Sequence, residues 1–336
     1  GLMNLMKKSF ALLLLLSIGF SASPQKPVVD FLQGGKADAG IMAKSYFQPY
    51  GEMLGTSLNS GWYNTAKVHG VLGFDLTVSV MNSVAPSSAQ SFDVNQLALN
   101  SFEVADGSPS VAPTVAGDMS SDQRPVLQPK TRGGEYAQFD MPNGSGFDKL
   151  PVPMVQAAVG LPKDIEVIGR FVPNMKIGDA GEVGLIGGGI KHSLKRYIPF
   201  VKRVPFLQMS VMGGYTSFNS STDIPGTGAV SVTDGKLDIS SGAFTSRLLL
   251  GVNLPVVAVY TGVGYGTANS DFDLKGEYSV QSIDDSFSDP FALNYTTSGL
   301  DFNAGLRLRI GFLAFHADYT VGEYSTLTGG VGINIR

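Results

Sequence analysis

The 336-residue chain contains no cysteine. That excludes disulfide staples, thiolate nucleophiles, Cys-ligated zinc and the lipid-bearing cysteine of a bacterial lipoprotein. Charge is also scarce: Asp, Glu, Lys and Arg make up 15% of residues and the formal net charge is -4, which argues against a nucleic-acid surface. The three histidines, His69, His192 and His316, fall on different expected elements and lack H-E-x-x-H spacing. No metal site and no cofactor is therefore expected. Beyond residue 21 no run approaches the ~18 apolar residues of a spanning helix. A chain of this kind crosses a membrane, if at all, with strands closed into a barrel.

What the chain does have is glycine (42 residues), aromatics (10%) and alternation. At its start, Lys7 and Lys8 precede the apolar run "FALLLLLSIGF" and the small-residue stretch "SASPQ". This is the order of a secretory signal peptide, expected over 1–23, with cleavage between Ser21 and Gln25. Residues 24–66 follow with helical spacing of Ile41, Met42, Tyr46, Met53 and Leu54 broken at Pro49, which predicts two short helices packed as a plug or lid.

From residue 70 the period is two. In "DFNAGLRLRIG", Phe302, Ala304, Leu306, Leu308 and Ile310 face one way and Asp301, Asn303, Arg307 and Arg309 the other. Fourteen such segments are counted between 71 and 335, with twelve as the runner-up. Many reach the about 9 to 11 residues that cross a bilayer at a tilt. Short turns such as "LPKD", "LPVV" and "GFL" contrast with the irregular stretch 105–150, expected as an external loop, a cap or part of the lumen lining. The fold class predicted is all-β: a transmembrane antiparallel barrel over 67–336 with an N-terminal helical plug.

The segments "GTSLNSGWYNTAKVHGVLGFDLTVSV" (55–80) and "GLIGGGIKHSLKRYIP" (184–199) resemble an uncharacterised outer-membrane barrel family of Bacteroidota. More loosely, the chain is similar to the long-chain fatty acid transporter family of outer-membrane proteins. That resemblance implies a fourteen-stranded barrel plugged by a small N-terminal helical domain.

"GEVGLIGGGIKHSL" (181–194) has the glycines of a phosphate loop without its spacing: nothing matches G-x-G-x-x-G, and Lys191 is followed by His192, not Ser or Thr. It reads as a strand whose missing side chains make room inside the barrel. If apolar faces meet lipid, Arg170, Arg247, Arg307, Arg309, Asp301, His316 and Asp318 line the lumen. With Trp62 and Tyr63 of the plug they form the candidate ligand or lumen set. His316 and Asp318 share a face, but no serine completes a catalytic group, and no enzyme activity is expected.

The expected function is a channel or transporter for a small or hydrophobic compound. The alternatives are a structural or interaction barrel using its outer loop, and, more distantly, a lipid-modifying barrel enzyme. The expected location is the bacterial outer membrane, as a monomer in contact with outer-membrane lipid and lipopolysaccharide, with no nucleic-acid partner.

Overall fold

A computed structural model describes residues 25–176 and 181–335. The expected signal peptide, residues 1–23, lies outside the described residues. A short helix, Gln25–Asp30, and a 3-10 turn, Phe31–Gly34, lead into one long helix, Gly35–Leu58. The two helices expected on either side of Pro49 are thus a single helix with Pro49 inside it. Tertiary packing overrides the local penalty for proline, because this helix is enclosed by protein for most of its length.

After an extended segment, 59–73, the chain forms β1 (Phe74–Val84) and then an insertion holding five short strands: β2 (Ser91–Asp93), β3 (Phe102–Val104), β4 (Val111–Pro113), β5 (Val126–Pro129) and β6 (Phe139–Asp140). The main wall continues with β7 (Lys149–Leu161), β8 (Ile165–Lys176), β9 (Glu182–Ser193), β10 (Leu207–Asp223), β11 (Val230–Asn253) and β12 (Val257–Val280). A short β13 (Asp285–Ser288) precedes β14 (Phe291–Ile310), β15 (Leu313–Val321) and β16 (Ser325–Ile335).

Every pairing in the wall is antiparallel. The order runs β11-β10-β9-β8-β7-β1-β16-β15-β14-β12, and β12 pairs back onto β11. The sheet is a closed barrel of ten strands, without an open edge to satisfy.

The ring has ten members and not the fourteen counted from alternation. Candidates at 229–239 and 243–254 are one 24-residue strand, β11; those at 256–267 and 273–283 fuse as β12; those at 292–298 and 300–310 fuse as β14. The candidate at 97–104 belongs to the insertion, where only β3 forms. Each false break falls where the outward face turns from apolar to polar and the inward face from polar to apolar, for example between Phe244 and Ile239, so the alternation reverses its phase although the ladder continues.

The two ends differ. At one end, where Phe74 pairs with Ile335, the turns after β7, β11 and β14 are short. At the other, β10 to β14 rise well above the rest as a tall wall, and the insertion stands opposite them. The stretch expected as an external loop or cap therefore folds as a cap: β2 pairs β4, and β3-β5-β6 form a small sheet.

The outward face carries an apolar band with exposed aromatics toward both edges: Phe171, Tyr215, Phe244, Tyr265 and Tyr319 toward the tall end, and Phe74, Phe206 and Phe312 near the short turns. Among the described residues no helix is long and apolar enough to cross a membrane.

Candidate functional site

The interior is filled by the N-terminal segment, in two layers of different chemistry. Toward the tall end the long helix packs its Phe47 on Phe272 of β12, with ring centroids 5.9 Å apart, and Phe272 stacks edge-on with Tyr295 of β14 at 5.2 Å. Phe31, Met42, Tyr46, Phe102, Leu127 and Phe139 extend this core into the cap. Asp38, buried in the first turn of the helix, accepts the backbone N–H groups of Asn100, Ser101 and Phe102 at 2.7, 2.9 and 3.0 Å. Helix and cap are thereby a single packed unit. Lower down, Glu52 is held above its ordinary range, at about 7, first by burial and second by Glu323 in the turn after β15.

Below Leu58 the helix ends and the chain threads the lumen in extended form to the short-turn end. Its backbone carbonyls are held by side chains from the wall. Arg170 of β8 donates to Leu58 O at 2.7 Å and to Ser60 O, and its Nε donates to Gln156 Oε1 at 2.9 Å. Gln156 in turn donates to Trp62 O at 2.9 Å, and the Arg170 guanidinium lies 3.7 Å from the centroid of the Trp62 ring. Lys191 donates to Thr65 O at 2.6 Å and Lys67 O at 2.9 Å, and Ser210 to Ala66 O at 2.9 Å. Arg247 donates to the Tyr63 hydroxyl at 3.0 Å and pairs with both oxygens of Asp301, while Tyr63 donates to Asn303 at 2.6 Å.

Trp62 occupies a space that glycines create. A β-carbon on Gly189 of β9 would stand 2.9 Å from the indole, and one on Gly214 of β10 2.6 Å from it. Both positions face inward. Gly188 points outward and is free of side-chain contact, so the "GGG" run makes room at Gly189 and not at Gly188. What it accommodates is an aromatic side chain of the extended segment and not a helix.

The candidates from the sequence divide as follows. Trp62, Tyr63, Arg170, Arg247 and Asp301 meet in the layer just described. Arg307 reaches Asn64 at 3.4 Å, and Asp318 accepts from Tyr260 at 2.9 Å on the neighbouring wall. His316 is buried opposite Gly330. Arg309 stays apart: its Nε donates to Gly311 O in the β14–β15 turn, at the rim. Among the described residues no serine hydroxyl bonds to His192 or His316. His192 is engaged instead by Asp164 O and the Tyr197 hydroxyl, at 3.1 and 3.2 Å.

Sequence reasoning missed Lys191, Gln156, Ser210 and Asn303 as plug contacts. For two of them the signal was present as inward parity: Lys191 lies two positions from Gly189, and Asn303 two from Asp301; Gln156 is placed only by its pairing opposite Arg170. At the lumen exit the His69 imidazole bonds Asp75 at 2.5 Å, and the His69 backbone N–H donates to Glu166 at 3.0 Å, so these three residues bring cation-ligand atoms together. Lys191 and Arg307 lie in electrostatic range of both carboxylates, which neutralises the cluster from within the protein. A cleft of about 330 Å³, lined by Asn174, Glu182, Asp238 and Asp273, lies on the outer face of the tall wall, away from the lumen.

A closed antiparallel barrel with its own N-terminal segment threaded through the lumen is the class this architecture defines. The chain belongs to the family DUF6588, a family of unknown function, whose model matches residues 6–335. No curated protein matches the sequence. Among solved structures it is similar to the translocator domain of autotransporter NalP from Neisseria meningitidis (11% identity, 80% of this chain and 90% of that one, TM-score 0.31). It is also similar to outer membrane protease OmpT from Escherichia coli (8%, 78% and 97%, 0.28) and to the Pseudomonas putida toluene transporter TodX (9%, 80% and 90%, 0.25). At these TM-scores the fold rests on the chain's own strand pairing.

Proposed function

We propose that the protein is an outer-membrane β-barrel in which residues 25–70 are a displaceable plug, and that it passes a small compound when the plug moves. The apolar outward band with aromatics at both edges supports a bilayer around the strands, and the short turns support that end as the periplasmic one. The observation that carries the reading is the chemistry of the lower lumen. An interior filled permanently needs no charge, and exchanging buried charges for apolar groups is often neutral or stabilising. Here Arg170, Lys191, Arg247, Arg307 and Asp318 all line it. Such a wall is what a lumen needs if it is hydrated in a second state. The buried Trp62 indole N–H, which has no hydrogen-bond partner among the described residues, fits a seat that is not optimised for permanence.

The resemblance to fatty acid transporters supports a hydrophobic compound as its class. Efflux of small solutes from liposomes is the test. The double variant Trp62→Ala/Arg170→Gln removes the main lower contact, worth about 3 kcal/mol or more, so efflux should rise by about a hundredfold. No rise, with the plug shown by proteolysis to have left, would reject transport.

One observation favours a second reading, an interaction barrel. The cap is a folded unit braced by Asp38, and it presents an ordered surface beyond the apolar band. Loss of capture of a surface partner on deletion of the cap, with efflux unaffected by plug variants, would favour it.

A further inference from the structure

The connection between β9 and β10, "LKRYIPFVKRVPF", is unlike the other turns at its end of the barrel. It is longer, contains the short helix Pro199–Arg203, and carries Lys195, Arg196, Lys202 and Arg203 within nine positions. Its aromatic side chains stay largely in the open: Tyr197, whose hydroxyl meets His192, is 60% exposed, Phe200 71% and Phe206 47%. Lys195 is the exception among the cations. Its ammonium donates to the carbonyls of Val204, Pro205 and Leu207, which ties the loop into one shape. Arg196 is bridged to Asp164 at 2.7 Å while remaining half-exposed, and Lys202 and Arg203 are exposed.

A braced loop that keeps large apolar groups and positive charge in the open needs an occupant with both an apolar and an anionic side. Phe206 leads directly into Leu207 and Met209 on the outward face of β10, so the exposed aromatics continue the apolar band of the barrel. The charges therefore sit where that band ends. Aromatic rings and basic side chains arranged in this order are the composition of a segment lying in the interface of a bilayer.

We propose that this loop docks on the headgroups of an anionic phospholipid leaflet, with Tyr197, Phe200 and Phe206 at the acyl boundary and Lys202 and Arg203 on the phosphates. The inference rests on the barrel spanning a bilayer, as proposed above, and adds lipid selectivity at the short-turn end. Its consequence is a fixed depth and tilt of the barrel relative to that leaflet.

The test is reconstitution of the full chain in phosphatidylcholine vesicles, followed by the association of spin-labelled phosphatidylglycerol relative to spin-labelled phosphatidylcholine. The wild type should prefer the anionic lipid. Lys202→Gln and Arg203→Gln should each weaken that preference by about fivefold at low salt, and high salt should do the same to the wild type. Both residues are exposed, so the variants should keep the heat-modifiable mobility of a folded barrel. Insertion without any preference, or a preference unchanged when Lys202→Gln and Arg203→Gln are combined, overturns the lipid site and leaves the membrane reading standing. Failure of the folded wild type to insert overturns both.

Discussion

The two halves of the plug are held by opposite means. Toward the tall end a helix is buried in an apolar core shared with the cap, and rings of Phe47, Phe272 and Tyr295 meet at contact distance. Toward the short-turn end the same chain is extended, and wall side chains grip its carbonyls. The apolar half gains from burial whatever its detailed geometry, at roughly 25 cal/mol per Å². The polar half depends on each bond being made, because an unpaired buried polar group is penalised by about 1 to 3 kcal/mol. The first resembles a domain core and the second a removable contact. This difference is why displacement is expected to begin at residues 59–67.

Substitutions that act on one half alone can break this contrast. The largest effect is expected from Arg170→Leu, which strands the carbonyl of Ser60, leaves that of Leu58 only the longer bond from Thr216 and removes the stack on Trp62. A loss of about 3 to 5 kcal/mol should appear as faster hydrogen exchange over 59–67 with little change in the cap. Asp38→Ala is the reciprocal change. It leaves three N–H groups without their acceptor, and about 1.5 to 3 kcal/mol should be lost as exchange protection at residues 100–102, with the lower lumen unaffected.

Gly214→Leu sharpens the account of the lumen. The new side chain would occupy the space of the indole, with an overpacking penalty of about 1 to 3 kcal/mol. Trp62 is the only tryptophan, so its emission should shift to the red, whereas Gly188→Leu, which points outward, should leave emission unchanged. The smallest effect is a pH dependence. Glu52 in the folded protein is pushed up to about 7 by burial and then by Glu323, whereas the unfolded chain returns it to the ordinary carboxylate range. The folded state therefore releases this proton later than the unfolded state does. Stability contributed here is complete at acidic pH and declines as pH rises from the ordinary carboxylate range through about 7. Glu52→Gln should flatten that slope in a urea titration.

Much of the barrel was legible because strand parity is a strong constraint. Phe302, Leu306 and Leu308 face outward, and Arg307 and Asn303 inward, as alternation demands. The strand number was not legible. Where β11 and β12 leave the apolar band, the outward face turns polar while Ile239, Leu237, Phe272 and Leu274 make the inward face apolar, so the alternation reverses its phase and a tall hairpin reads as two separate strands. The polar set of the lumen could be placed on the correct face, yet its partners could not. Arg170 is satisfied by Leu58 O and Ser60 O, and backbone acceptors leave no mark in a sequence. Pro49 misled for a related reason: its local preference is overcome by packing from residues more than two hundred positions away, such as Phe272 and Tyr295.

The claim that matters most is that the plug moves. The absence of cysteine makes a direct test available. Ser57 of the long helix and Ser83 of β1 have their hydroxyl oxygens 2.6 Å apart, so cysteines at those positions would bring their sulfurs together. Solute efflux through Ser57→Cys/Ser83→Cys in an Arg170→Gln background should be blocked under oxidising conditions and restored by reduction. Equal efflux in both states would contradict a displaceable plug.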